Sequence, residues 1–129
     1  MSARFDLIGI TTSDLPRALA FYRDLGLDIP DDQDAAPHVE VTLPGGLRLA
    51  WDPLETIRSF DPDFEVSNGR HPVSLAFRLD SPVEVDELYS RLAAAHHGHK
   101  EPWDADWGQR YAILHDPDGN TIDLFADLR

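Results

Sequence analysis

Asp123 stands in "NTIDLF", Asn120 to Phe125, as an acid on an otherwise apolar strand-like run. Strand side chains alternate, so Thr121, Asp123 and Phe125 share one face, and Ile122, Leu124 and Ala126 share the other. A carboxylate between apolar neighbours sits at a wet rim, pairs with a cation or binds a metal. Arg48, Arg78 and Arg110 lie on strand-like segments and are the candidate cations. Three tryptophans supply a second kind of chemistry. Trp51 ends the run "LRLAW", where core packing is the plainer role. Trp103 and Trp107, in "EPWDADWGQ", stand among Asp104, Asp106 and Gly108, and aromatic faces beside carboxylates suit a flat or cationic ligand. Trp51, Trp103, Trp107, Arg110 and Asp123 are therefore candidate ligand-binding residues.

The histidines carry less. His96, His97 and His99 in "AAAHHGHK" close an amphipathic helical pattern, where cations suit the helix dipole. His71 and His115 can act as acid or base near neutral pH if a pocket holds them, although a surface or hydrogen-bonded role is commoner. His38 enters a strand from a loop. The chain has no Ser-His-Asp order, phosphate-binding glycine loop or nucleotide motif.

At 129 residues the chain is the size of one domain and can bury a core without staples. With no cysteine, disulfides, thiolate metal sites and thiol nucleophiles are excluded, and any metal must be held by His, Asp or Glu. The 24 acidic and 11 basic residues give a formal charge of −13, which disfavours nucleic acid and anionic membranes and favours cationic ligands. Such acidity also serves solubility alone. No apolar run is long enough to span a membrane, and "MSARFDLIGI" lacks the hydrophobic region of a signal peptide, so a cytoplasmic location is expected.

The elements that must position these residues occur twice. "RFDLIGITTSDLPRALAFYRDLGL" runs from a strand into a helix that Ser13 or Asp14 can cap, with Leu15, Ala18, Leu19 and Tyr22 spaced as one buried face. "VSLAFRLDSPVEVDELYSRLAAAHHG" does the same, with Ser81 to Glu84 as a capping box, Val85, Leu88, Tyr89 and Leu92 as the stripe, and Gly98 as the stop. A short strand and a hairpin follow each helix. The hairpins turn at Pro44-Gly45-Gly46 and at Asp116 to Asn120. The expected organisation is a first module over 4–52, a polar linker or lid over 53–72, and a second module over 73–129.

"SDLPRALAFYRDLGL" and "WGQRYAILHDPDGNTIDLF" together resemble the vicinal oxygen chelate superfamily, which includes glyoxalases, extradiol dioxygenases and bleomycin-resistance proteins. Trp107-Gly108 with Arg110 two residues on, followed by the "DPDGN" turn, looks most like the bleomycin-resistance branch. The resemblance implies an α+β fold of two βαβββ modules, a curved mixed sheet around a pocket, and a homodimer. Metal enzymes of the superfamily hold one divalent ion on four strand positions. These fall here at Leu7, at Arg48 to Ala50, at Ser74 and at Asp123, and only Asp123 is a strong oxygen ligand. No metal and no cofactor are therefore expected, and Ser74 joins the candidate ligand contacts. The leading reading is a metal-free protein that sequesters a small aromatic or cationic molecule. The alternatives are a superfamily enzyme (lyase, isomerase or dioxygenase-like), by a displaced metal or by Asp123 with His71 or His115, and a structural partner module without a ligand.

Overall fold

Asp14 sets the start of the first helix, because its side chain accepts the Arg17 backbone N–H at 3.2 Å and satisfies a donor that the helix itself leaves open. In the computed structural model, which describes residues 2–66, 71 and 73–129, this helix is α1, Leu15–Leu25. It stops at Gly26, whose φ of 114° suits glycine, with the Leu27 N–H returning to the Tyr22 carbonyl. Leu15, Ala18, Leu19 and Tyr22 are buried, as their spacing requires, and Phe21 joins them.

The chain divides into two compact units, Met1–Val66 and Ser67–Arg129. The first contains β1 (Leu7–Thr12), α1, β2 (Val39–Thr42), β3 (Arg48–Pro53) and α2 (Leu54–Phe60). Its sheet runs β1-β3-β2, with β3 parallel to β1 and antiparallel to β2. Gly45 and Gly46 close the β2–β3 hairpin with φ of 96° and 99°, the left-handed pair that matches strand twist. Trp51, on the central strand, is fully buried, its ring 5.2 Å from that of Tyr22.

Two features differ from expectation. The short strand expected between α1 and the first hairpin does not form. Pro30 and Pro37 bracket an acidic stretch with no apolar alternation, and Asp31–Gln33 makes a 3-10 turn instead. Arg23 holds this segment in place, donating to the Ile29 carbonyl at 3.0 Å and the Pro30 carbonyl at 2.6 Å and pairing with Asp34 at 3.3 Å. In addition, the stretch expected as a linker begins with α2, which packs on β1 and β3. The linker positions 67–70 and 72 lie outside the described residues.

The second unit contains β4 (Ser74–Arg78), α3 (Pro82–Ala94), β5 (Gly98–Ala105), β6 (Gln109–His115) and β7 (Thr121–Asp127). Its sheet runs β4-β7-β6-β5. The Ser81 hydroxyl caps α3 by accepting the Glu84 N–H, while the Glu84 carboxylate reaches back one residue further than a capping box, to the Asp80 N–H at 3.0 Å. Val85, Leu88, Tyr89 and Leu92 are buried. They cover Ala112, Leu114, Ile122, Leu124 and Ala126, the core face of β6 and β7. Gly98 is not the helix stop. His96 takes the left-handed φ of 73°, and Gly98 opens β5, where a Cβ would stand 2.7 Å from the Tyr89 hydroxyl oxygen. The β6–β7 turn forms as its residues require. Asp116, buried, accepts the backbone N–H groups of Asp118 and Asn120 at 2.9 and 2.8 Å, and Gly119 takes a φ of 87°. Among the described residues no helix is long and apolar enough to cross a membrane.

The first unit also carries a ladder of alternating charge. Arg48 joins Asp6 at 2.5 Å and Glu40 at 2.8 Å, and His38 joins Glu40 at 2.8 Å and Asp52 at 2.6 Å. The hydrogen bonds to Glu40 first and Asp52 second raise the His38 pKa above the usual histidine value. A raised value means that the stabilisation is complete below about pH 6.5 and is lost as pH rises through the folded value. The stability gap between the native chain and His38→Gln should therefore be widest below about pH 6.5 and narrow as pH rises through the raised folded value. Urea melts across that range measure it, and a gap indifferent to pH contradicts the ladder.

Candidate functional site

Strand register on the face of the second sheet turned away from α3 places side chains in rows. Trp103 on β5, Tyr111 on β6, Phe125 on β7 and Arg78 on β4 make one row. Lys100, Ile113, Asp123 and Ala76 make the next, and His115, Thr121 and Ser74 the one beyond. Lys100 and Trp103 share this face despite being three apart in sequence, because irregular pairing between them restores the alternation.

The first row is an aromatic cluster. Tyr111 meets Trp103 and Trp107 edge-on at centroid distances of 5.4 and 5.3 Å, and stacks toward Phe125 at 6.2 Å. Trp107 is 61% exposed, its indole N–H donating to the Gln109 side chain at 2.9 Å. Cations flank the cluster: Lys100 Nζ lies 4.1 Å from the Trp103 centroid, and the Arg78 guanidinium carbon lies 4.8 Å from that of Phe125.

Asp123 sits beside this row. Its Oδ2 accepts the Tyr111 hydroxyl at 2.5 Å, while its Oδ1 is buried with no hydrogen-bond partner among the described residues. Burial first, and the Asp123 carboxylate second, push the Tyr111 phenol up to about 12, so Tyr111 remains a donor across the physiological range. The neighbours of Asp123 within its row, Ile113 and Ala76, are hydrocarbon. A buried carboxylate oxygen without a donor costs free energy, and a ligand N–H or ammonium would relieve it.

The arginines expected to neutralise Asp123 are engaged elsewhere. Arg48 bridges Asp6 and Glu40, and Arg78 pairs with Asp127 at 3.1 Å. Arg110 lies opposite Asp104 and Ala126, on the α3 side of the sheet, and bonds Asp86 at 2.9 Å and Asp104 at 3.0 Å. It lines a cleft of about 560 Å³ with Tyr89 and Glu101, away from Asp123. Of the other candidates, Trp103, Trp107, Asp123 and Ser74 belong to the face of the second unit's sheet turned away from α3 or to its edge, and Ser74 is one row from Asp123. Trp51 lies in the core of the first unit. Tyr111 and Lys100, absent from the sequence-derived set, stand at the centre and edge of the face. Tyr111 was readable by counting back across the turn: His115 closes on Thr121, which sets Ile113 opposite Asp123 and Tyr111 opposite Phe125.

The residues do not fit a divalent ion held in the superfamily's manner. Leu7 offers no donor, Ser74 faces Thr121 rather than Asp123, and among the described residues no group of three or more His, Asp or Glu is arranged to hold a metal ion. Several histidines meet one another or backbone groups. His99 and His115 stack at 4.2 Å, His71 Nε2 lies 3.4 Å from the Asp118 carbonyl, and the His97 carbonyl accepts the His115 N–H.

Residues 4–124 match the model of the glyoxalase/bleomycin resistance protein/dioxygenase superfamily. Among solved structures, a glyoxalase/bleomycin resistance protein/dioxygenase from Nocardioides superposes with a TM-score of 0.74 at 28% identity, over 100% of this chain and 86% of that one. A family enzyme from Burkholderia phytofirmans gives 0.81 at 22% identity, over 98% and 100%. A lactoylglutathione lyase from Agrobacterium tumefaciens gives 0.65 at 20%, over 97% and 94%; these two likenesses concern the fold alone. No curated protein matches the chain. The repeated strand-helix-hairpin plan, the family match along nearly the whole sequence and the shared fold lead to one assignment: the chain belongs to the glyoxalase/bleomycin resistance protein/dioxygenase superfamily.

Proposed function

We propose that this chain is a binding member of its superfamily, which sequesters a small aromatic compound bearing a cationic or N–H group and does so without a divalent ion of the family kind. The observation that carries this reading is the unpartnered, buried Oδ1 of Asp123 beside four aromatic rings. The rings supply apolar contact and cation–π attraction, and the carboxylate supplies a charge-assisted acceptor. The charge of −13 supports the same ligand class by concentrating cations near the protein. A homodimer completing the site belongs to this reading, as in the bleomycin-resistance proteins that the sequence resembles.

A second reading, an acid–base enzyme, rests on the Tyr111–Asp123 hydrogen bond of 2.5 Å. A phenol pushed up to about 12 is a weak proton donor at neutral pH, which favours the binder.

The test is a titration of chelator-treated protein with 9-aminoacridine, a planar aromatic cation, followed by tryptophan fluorescence. The expected result is saturable quenching whose affinity falls as salt rises, because screening sets in over roughly 8 to 10 Å at physiological ionic strength. Absence of binding, or quenching unchanged in Asp123→Asn, contradicts the reading.

A further inference from the structure

Lys100 is the chain's one lysine, among 24 acidic residues. It makes no ion pair with a described residue, and its ammonium instead lies over the Trp103 ring, on the same face as Asp123. Lys100 and Asp123 both stand opposite Ile113, one on each side. Two strand spacings separate them, about 10 Å between Cα atoms. The ammonium is turned to the Trp103 ring and not to Asp123, and Ile113 stands between the two charged residues. The row thus has a cation without a carboxylate at its β5 end, an apolar residue next to it, and the unpartnered acceptor of Asp123 beyond.

We infer that Lys100 is a specificity-determining residue of this face, which takes an oxyanion on the ligand while Asp123 takes an N–H. This rests on the aromatic face being the binding site and deepens that reading: among flat, N–H-bearing aromatic ligands, those that also carry an oxyanion are preferred over their neutral counterparts. Held over the indole, the ammonium keeps a cation–π partner in the empty state and exchanges it for a carboxylate when ligand arrives. An ammonium and a carboxylate form a charge-assisted bond stronger than the contact with a neutral ester.

Calorimetric titration with indole-3-butyrate and its methyl ester tests this directly. The native chain should bind the acid about tenfold more tightly than the ester, a difference of about 1.4 kcal/mol. Lys100→Met, at an exposed position and with a stem of similar length, should remove that preference, bringing acid and ester to equal affinity, and Lys100→Arg should retain it. Equal binding of acid and ester, or a preference that survives in Lys100→Met, overturns the role of Lys100 and leaves the aromatic face standing. If neither indole binds while 9-aminoacridine does, the aromatic-acid inference fails and the broader binding reading survives. If no aromatic probe binds, both fail.

Discussion

Trp51→Ala should destabilise the protein by about 3 to 5 kcal/mol, the range for truncating a fully buried large aromatic side chain. Trp51 sits at zero exposure on the central strand of the first sheet, against Tyr22 and pairing with Ile10 and Val39 on either side, so its loss opens a cavity that neighbouring strands cannot collapse into. Against a total stability of about 5 to 15 kcal/mol this removes a large share of the fold's margin. Trp51→Phe should cost far less, below about 1.5 kcal/mol. The indole N–H is buried without an acceptor among the described residues, and the phenyl ring removes that donor while keeping most of the apolar volume. Urea denaturation of the two variants separates the effects. Equal losses in both would mean that the indole N–H is satisfied in solution.

Asp123→Asn should separate binding from stability. The amide oxygen can still accept the Tyr111 hydroxyl, but the variant no longer carries a carboxylate whose second oxygen is buried and unpartnered. Stability should therefore hold or rise, while affinity for 9-aminoacridine falls by about 10- to 100-fold, matching the loss of a hydrogen bond to a charged group of about 1.5 to 3 kcal/mol. Tyr111 reports the same change. Its phenol lies near 12 partly because of the Asp123 charge, so ultraviolet titration of the variant should show one tyrosine ionising at lower pH, short of the ordinary value because burial, the larger cause, remains. A variant that loses both stability and binding points to a structural role for Asp123 instead.

Much of this architecture follows from local chemistry. Leu15, Ala18, Leu19 and Tyr22, and later Val85, Leu88, Tyr89 and Leu92, form helical stripes that the sequence displays openly, and Asp14 and Ser81 mark where those helices begin. The Asp116 turn was equally plain, since each residue has its own reason to bend the chain. What local pattern could not supply was long-range. Arg23 reaches the Ile29 and Pro30 carbonyls and holds as a turn the stretch where a strand was expected. Gly98 is small because Tyr89 packs against it, a requirement set by a helix that precedes it.

The site divides along the same line. Asp123 stood out as an acid among apolar residues, and Trp103 and Trp107 as aromatics in poor core context. Arg110 was drawn toward Asp123 by charge alone, although strand alternation puts it on the opposite face from Tyr111. Lys100 was hidden because the irregular pairing of β5 breaks the count that would have aligned it with Trp103.

In the proposed binding mode Asp123 meets the ligand itself and not a metal. Calorimetric titration of 9-aminoacridine into chelator-treated native protein, with and without added magnesium or manganese, and into Asp123→Asn tests it most directly. The expected result is the same affinity with and without the added ion and a loss of about 10- to 100-fold in the variant. Binding that appears only when a divalent ion is supplied, or that persists undiminished in Asp123→Asn, contradicts it.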